Sequence, residues 1–132
     1  MEPGKINTDL SDALKLRTRR HAVNVIKHLK TIKYSEEIGV IKHQLIKAVT
    51  SVAANYRAAC RGKSKADFIA KLGIVHEEAD EVVFWLEIME DLDYSGEEMS
   101  GLKNESEQIL RIIAKSVSTS RTNYYNSKKQ LN

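Results

Sequence analysis

Four successive stretches of this chain carry apolar residues at alternating spacings of three and four, and only a few residues separate one stretch from the next. That spacing marks one face of an α-helix. Long helices joined by short connections must lie antiparallel to their neighbours. The pattern predicts an all-α fold, an antiparallel up-and-down four-helix bundle of left-handed twist, with helices over about 9–33, 36–60, 64–91 and 95–122. Each would be roughly 37 Å long. A polar tail, 123–132, is expected to fray. No internal repeat or compositional break divides the chain, so 1–132 reads as a single domain.

The predicted core follows from the stripes. The first is Leu14, Thr18, Ala22, Val25, Leu29 and Ile32. The second is Ile38, Ile41, Leu45, Ala48, Val49, Val52, Tyr56 and Ala59. The third is Phe68, Leu72, Val75, Ala79, Val82, Leu86 and Met89. The fourth is Met99, Leu102, Ile109, Ile112, Ile113, Ser116 and Val117. Gly62 stands where a helix should stop. Ser64 with Asp67, and Ser95 with Glu98, have the spacing of capping boxes.

Composition excludes several alternatives. One proline and six glycines are too few for a turn-rich β fold. The single cysteine, Cys60, excludes an intrachain disulfide. No apolar run approaches the ~18 residues of a membrane span. Met1 to Leu10 lacks a signal-peptide core, so a cytoplasmic location is expected. Charge is unevenly placed. Residues 1–71 hold 15 Lys and Arg against six Asp and Glu, whereas 72–132 hold six against 12.

Metal and catalytic patterns are weak. Di-iron bundles use Glu-x-x-His pairs, but the residues three before His21, His28, His43 and His76 are Thr18, Val25, Val40 and Gly73. The run from His76 to Asp80 resembles the zinc motif His-Glu-x-x-His but ends in Asp80. His76 and His21 lie near core stripes and read as packed, hydrogen-bonded histidines. Cys60 reads as an inert thiol, although Arg57 and Arg61 flank it. There is no glycine-rich phosphate loop and no Gly-x-Ser-x-Gly. No enzyme, cofactor or metal is expected.

The surface is more informative. At 100° per residue, Ile74, Trp85 and Ile88 fall opposite the core stripe of the third helix, with Phe84 to one side and Glu77 and Glu81 between them. The second helix carries Thr50, Ala54 and Ala58 outward, small residues that admit a close neighbour. These two features suggest self-association. Arg17, Arg19, Arg20, Lys27 and Lys30 on the first helix, and Arg57, Arg61, Lys63 and Lys65 around the second connection, are candidate phosphate contacts. The alternative is that these cations pair with the acids of the third helix. Asn55, at the edge of a core stripe, is expected to fix register between helices, and Glu78 and Glu81 to meet Arg57 or Lys47.

From Gln44 to Glu87 the chain resembles the 23S ribosomal RNA intervening-sequence protein family. The matching residues are Gln44, Leu45, Ala48, Ser51, Val52 and Asn55, then Ser64, Lys65 and Phe68, then Glu77, Glu78, Glu81, Trp85 and Leu86. Where many members have Asn-Ile-Ala-Glu-Gly, this chain has Asn55-Tyr56-Arg57-Ala58-Ala59, without the acid. The resemblance implies an up-and-down bundle assembled into a ring of five. By association it also implies a nucleic-acid role, since a distant relative is the accessory protein of diversity-generating retroelements. Two functions are therefore expected. One is a non-enzymatic homopentameric scaffold or adaptor for another protein. The other is an accessory protein that binds RNA or DNA, without sequence preference.

Overall fold

The computed structural model describes residues 8–130, which form four helices: α1 (Thr8–Leu29), α2 (Glu36–Ala59), α3 (Lys65–Asp91) and α4 (Glu97–Gln130). The ends of the expected domain, 1–7 and 131–132, lie outside the described residues. Each helix packs on its chain neighbour and α4 closes on α1, while helices on the diagonal do not approach. This is the up-and-down bundle that the short connections require. The α2/α3 contact is the most extensive and the α1/α4 contact the least.

Every residue of the α2 and α3 stripes is buried, and α3 adds Val83. The α1 stripe is buried from Leu14 to Leu29, with Ile32 packed against its end. Thr18 fits among apolar neighbours because its hydroxyl donates to the Leu14 carbonyl at 2.9 Å. The α4 seam differs from expectation. Ser106 is buried within it, whereas Ile112 is 37% exposed and Ser116 only half-buried. The steps Leu102–Ser106–Ile109–Ile113–Val117 keep one face, and Ile112 stands one residue, about 100°, off it.

The termini show which local signals prevail. Ser35 caps α2 by accepting from the Ile38 amide, and Ser64 caps α3 by accepting from the Asp67 amide at 3.1 Å. Asp67 in turn accepts from the Lys63 amide and the Lys71 ammonium, contacts that hold its carboxyl below the usual range. The capping box at Ser95 does not form. Gly96, at φ +129, turns the chain and its carbonyl accepts the first bond of α4, from the Ser100 amide. At Gly62 an added Cβ would stand 3.0 Å from the Ala59 carbonyl and 3.1 Å from the Phe68 amide. A side chain there would push this backbone apart by a few tenths of an ångström, and glycine allows the close approach of α3 to α2.

Two helix ends correct the sequence reading. α1 stops at Leu29 rather than near 33, because the Thr31 hydroxyl and amide both turn back to the His28 carbonyl and Lys42 donates to the Ile32 carbonyl. α4 continues to Gln130, through most of the tail expected to fray, although its last buried residue is Val117. Among the described residues no helix is long and apolar enough to cross a membrane.

Candidate interaction surfaces

An open groove of about 600 Å³ runs between α1 and α2. Its apolar lining includes Leu16, Val23 and Ile26 from α1 and Ala53 and Ala54 from α2, with Thr50 beside them. The small side chains on α2 leave the space between the two helices open. Lys15, Arg19, Arg57 and Arg61 surround this lining, and the one acid among them, Asp12, is held by Lys15 at 2.9 Å. The groove is therefore apolar in its floor and cationic at its rim. Of the two alanines predicted to face outward, Ala54 is exposed and lines the groove, while Ala58 is half-buried and does not.

On α3, Ile74 is 47% and Phe84 48% exposed, and they share a flank with Glu77 and Glu81. Trp85 and Ile88 were expected on that outer face, but both are half-buried and packed against the core. The indole is long enough to lean from the outer surface across a seam. Its Nε1–H donates to Glu81 at 3.2 Å, and Phe84 meets it edge-on at 5.0 Å. Glu81 thus meets Trp85 rather than Arg57 or Lys47. Burial raises the Glu78 carboxyl pKa, assisted by Glu81 and opposed by Lys47.

The cations divide. Arg17 is not a free phosphate contact. Its guanidinium donates to both Glu105 oxygens, at 2.8 and 2.6 Å, and to Gln108 at 3.1 Å. That pairing raises the Arg17 pKa and lowers that of Glu105. Arg19, Arg20, Lys27, Lys30, Arg57, Arg61 and Lys63 are exposed and Lys65 is half-buried, and none makes an ion pair among the described residues. The acids of α3 do not hold these cations within the chain. Glu90 instead takes Lys103 of α4, at 2.7 Å.

Three polar residues were read as structural. Asn55 donates to the Ser51 carbonyl one turn back at 2.9 Å, so its bond stays within α2 and does not set register between helices. His76 is half-buried in a groove beside Val117 and Arg121 and makes no hydrogen bond among the described residues, against expectation. His21 is buried as expected, with Nε2 at 2.6 Å from Ser106 Oγ. Ser106 donates to the Leu102 carbonyl at 2.9 Å, so it accepts from Nε2–H of a neutral imidazole. Burial lowers the His21 pKa, opposed by Glu105 and assisted by Arg17.

The contact between His21 and Ser106 was not foreseen, because a serine in an apolar stripe carries no signal of its partner. A close Ser–His pair is also the start of a nucleophilic dyad. Here the hydroxyl is 3% exposed, and the adjoining cavity of about 10 Å³ admits no more than one water. The surrounding amides belong to helix interiors and are already bonded, so no oxyanion site stands nearby. The pair's geometry suits a buried polar contact between α1 and α4. Cys60 is half-buried beside Tyr56, and burial raises the pKa of its thiol despite Tyr56 and Lys15. Burial likewise raises the pKa of the Tyr56 phenol. Among the described residues no three His, Cys, Asp or Glu side chains converge where a metal ion could bind.

Comparison with known proteins gives one consistent relationship. The model of the 23S rRNA-intervening sequence protein family matches residues 14–115. A crystal structure from Bacteroides thetaiotaomicron, described as a protein of unknown function from the S23 ribosomal protein family, superposes with a TM-score of 0.71 at 28% identity. The match covers 79% of this chain and 97% of that one. No curated protein matches the chain.

Proposed function

Because this chain belongs to the 23S rRNA-intervening sequence protein family, we propose that it is a non-catalytic assembly protein whose copies join by seating the α3 ridge of one in the α1/α2 groove of the next. The supporting observation is the complementarity of two surfaces on one chain. The ridge is apolar and acidic, with Ile74, Phe84, Glu77 and Glu81. The groove is apolar and cationic. α3 lies diagonally across the bundle from α1, so the two surfaces belong to different sides. Contacts between unlike patches are heterologous, and they close into a ring when the rotation permits. A homopentamer, acting in the cytoplasm, is the closed form that the family resemblance favours. Such a ring is a scaffold on which another protein can be displayed in several copies.

The test is mass. Light scattering should give a discrete oligomer, and a stable monomer at micromolar concentration would overturn the reading. Replacing both Ile74 and Phe84 by Glu should release monomers that keep their helicity, because both side chains are half exposed. Trp85→Glu is a poor probe, since Trp85 packs on the core.

A second reading rests on the exposed, unpaired cations of α1 and the α2–α3 connection. Such a face suits sequence-tolerant contact with RNA or DNA backbones, weakening as salt rises. Replacing Arg20, Lys27 and Lys30 by Gln should lower affinity and flatten the salt dependence without changing the oligomer, because none of the three lines the α1/α2 groove. Absence of a gel shift at ~50 mM salt would end this reading.

A further inference from the structure

The last 13 described residues of α4, 118–130, bury no side chain. α4 is 34 residues long, seven more than α3, its longest neighbour. Seven of these 13 residues are Ser, Thr or Asn, all poor helix formers. The first turn of the arm borders a groove beside α3 through Ser118, Arg121 and Thr122. Beyond that turn an arm of such residues, with no side chain fully buried, has little to hold it in place. Its composition shows what would hold it. The sequence carries no Asp or Glu after Glu107, while Arg111, Lys115, Arg121, Lys128 and Lys129 all follow.

The arm also lacks Leu, Ile, Val, Met and Phe. A helix that docks in a protein groove needs such anchors at spacings of three and four. The positions that would hold them, 121, 124, 125 and 128, are Arg121, Tyr124, Tyr125 and Lys128. Tyr125 is 66% exposed, and the Lys128 ammonium lies 5.5 Å from the centre of the Tyr124 ring. Arg121 reaches over Gly73 of α3 with its guanidinium end. One face of the arm therefore presents two π surfaces between cations, and the arm itself carries no acid, although Glu77 of α3 shares the groove beside Arg121. That is the chemistry of a single-strand platform, where bases stack on aromatic rings and cations follow the backbone.

We infer that the C-terminal arm of α4 binds single-stranded nucleic acid, with a base stacked on Tyr125 and phosphates held by Arg121, Lys128 and Lys129. This site is separate from the basic face of α1, which has no aromatic residue among its cations, and it does not depend on the oligomer. Stacking requires unpaired bases, so single strands should be preferred to duplex. RNA and DNA share the chemistry, and binding of either supports the site.

The test is fluorescence anisotropy of the full chain with labelled oligo-dT, oligo-rU and a duplex, each of about 15 nucleotides or base pairs, at ~50 mM salt. Tyr125→Ala should weaken single-strand binding by about 5- to 150-fold, the range for one lost stack. Tyr125→Phe should retain it, because the ring supplies the contact. Arg121→Gln with Lys128→Gln should lower the salt slope by about 1.4 through two lost phosphate contacts. The melting temperature of Tyr125→Ala should not change, since that ring is 66% exposed, and this separates lost binding from lost fold. Unchanged single-strand affinity in Tyr125→Ala, or equal affinity for duplex, overturns the proposal. So does a Tyr125→Ala variant that loses oligomer mass while binding oligonucleotide normally, which would make the arm a protein contact.

Discussion

Two seams of this bundle are built from different materials. Between α2 and α3 the contact is extensive and apolar, with Leu45, Val49, Leu72 and Val75 almost fully enclosed, and Gly62 brings the two helices together at one end. Between α1 and α4 the contact is short. It carries a buried His21–Ser106 hydrogen bond and, at its edge, the Arg17–Glu105 pair. Apolar burial scales with area and tolerates small changes of angle, whereas a buried polar pair specifies one register and is costly when half-made. The α2/α3 hairpin should therefore supply most of the stability, and the α1/α4 seam should fix how the outer helices align.

The largest expected effect tests the first half of that contrast. Leu72 has no exposed surface, and Leu72→Ala should lower unfolding free energy by about 2–5 kcal/mol in chemical denaturation. Gly62→Ala should cost about 1–3 kcal/mol, because the new methyl meets backbone on two sides and neither is the end of a flexible chain. If Leu72→Ala costs less than Ser106→Ala, stability does not reside mainly in the hairpin.

The α1/α4 seam should respond less, and in a pH-dependent way. Ser106→Ala leaves the His21 Nε2–H without its partner and should cost about 1–3 kcal/mol at neutral pH. The folded chain keeps His21 neutral through burial, so its folded pKa lies below the unfolded value of about 6.5. Between those two values the unfolded chain binds the extra proton. Stability should then fall as pH drops from about 7 through 6.5 toward the folded pKa, and level off below it. His21→Gln should flatten that slope, and a slope unchanged in this variant would assign it to another group. Glu105 behaves oppositely in range. Arg17 lowers its pKa, so its contribution is present above the ordinary glutamate value of 4.5 and is lost only as pH falls further.

The smallest effect belongs to the ion pair. Arg17 and Glu105 are each about a third exposed, and Arg17→Ala should cost no more than about 1 kcal/mol, less at high salt. A cost several times larger would mean that the bidentate geometry, rather than apolar area, holds α1 in place.

The sequence reading succeeded where one helix face decides burial. Every residue read into the second and third stripes is buried, because every member is apolar and the spacing is uninterrupted, and the reading missed only Val83 of α3. It failed where a polar residue does apolar work or an apolar one does not. Ser106 was passed over in favour of Ile112, since hydropathy ranks them in the wrong order for their places on α4. Trp85 was set on the outer face from its backbone angle, but a side chain of that length reaches round the helix. Asn55 and Ser95 illustrate competition close in sequence. Asn55 bonds to its own helix, and the backbone turn at Gly96 removes the capping position that Ser95 would have used.

The amino-acid sequence alone determined the number of helices, their antiparallel order, most of the core and the family resemblance. Each of these depends on local periodicity, on connection length, or on residues close together in the chain. Tertiary structure decided which cations are spent inside the subunit and which remain free, because Arg17 and Glu105 stand 88 positions apart. It also decided that His21 meets Ser106, and that an apolar groove opens between α1 and α2. Those features arise where separate helices meet, and the distance and angle between two helices are set by the packing of all four.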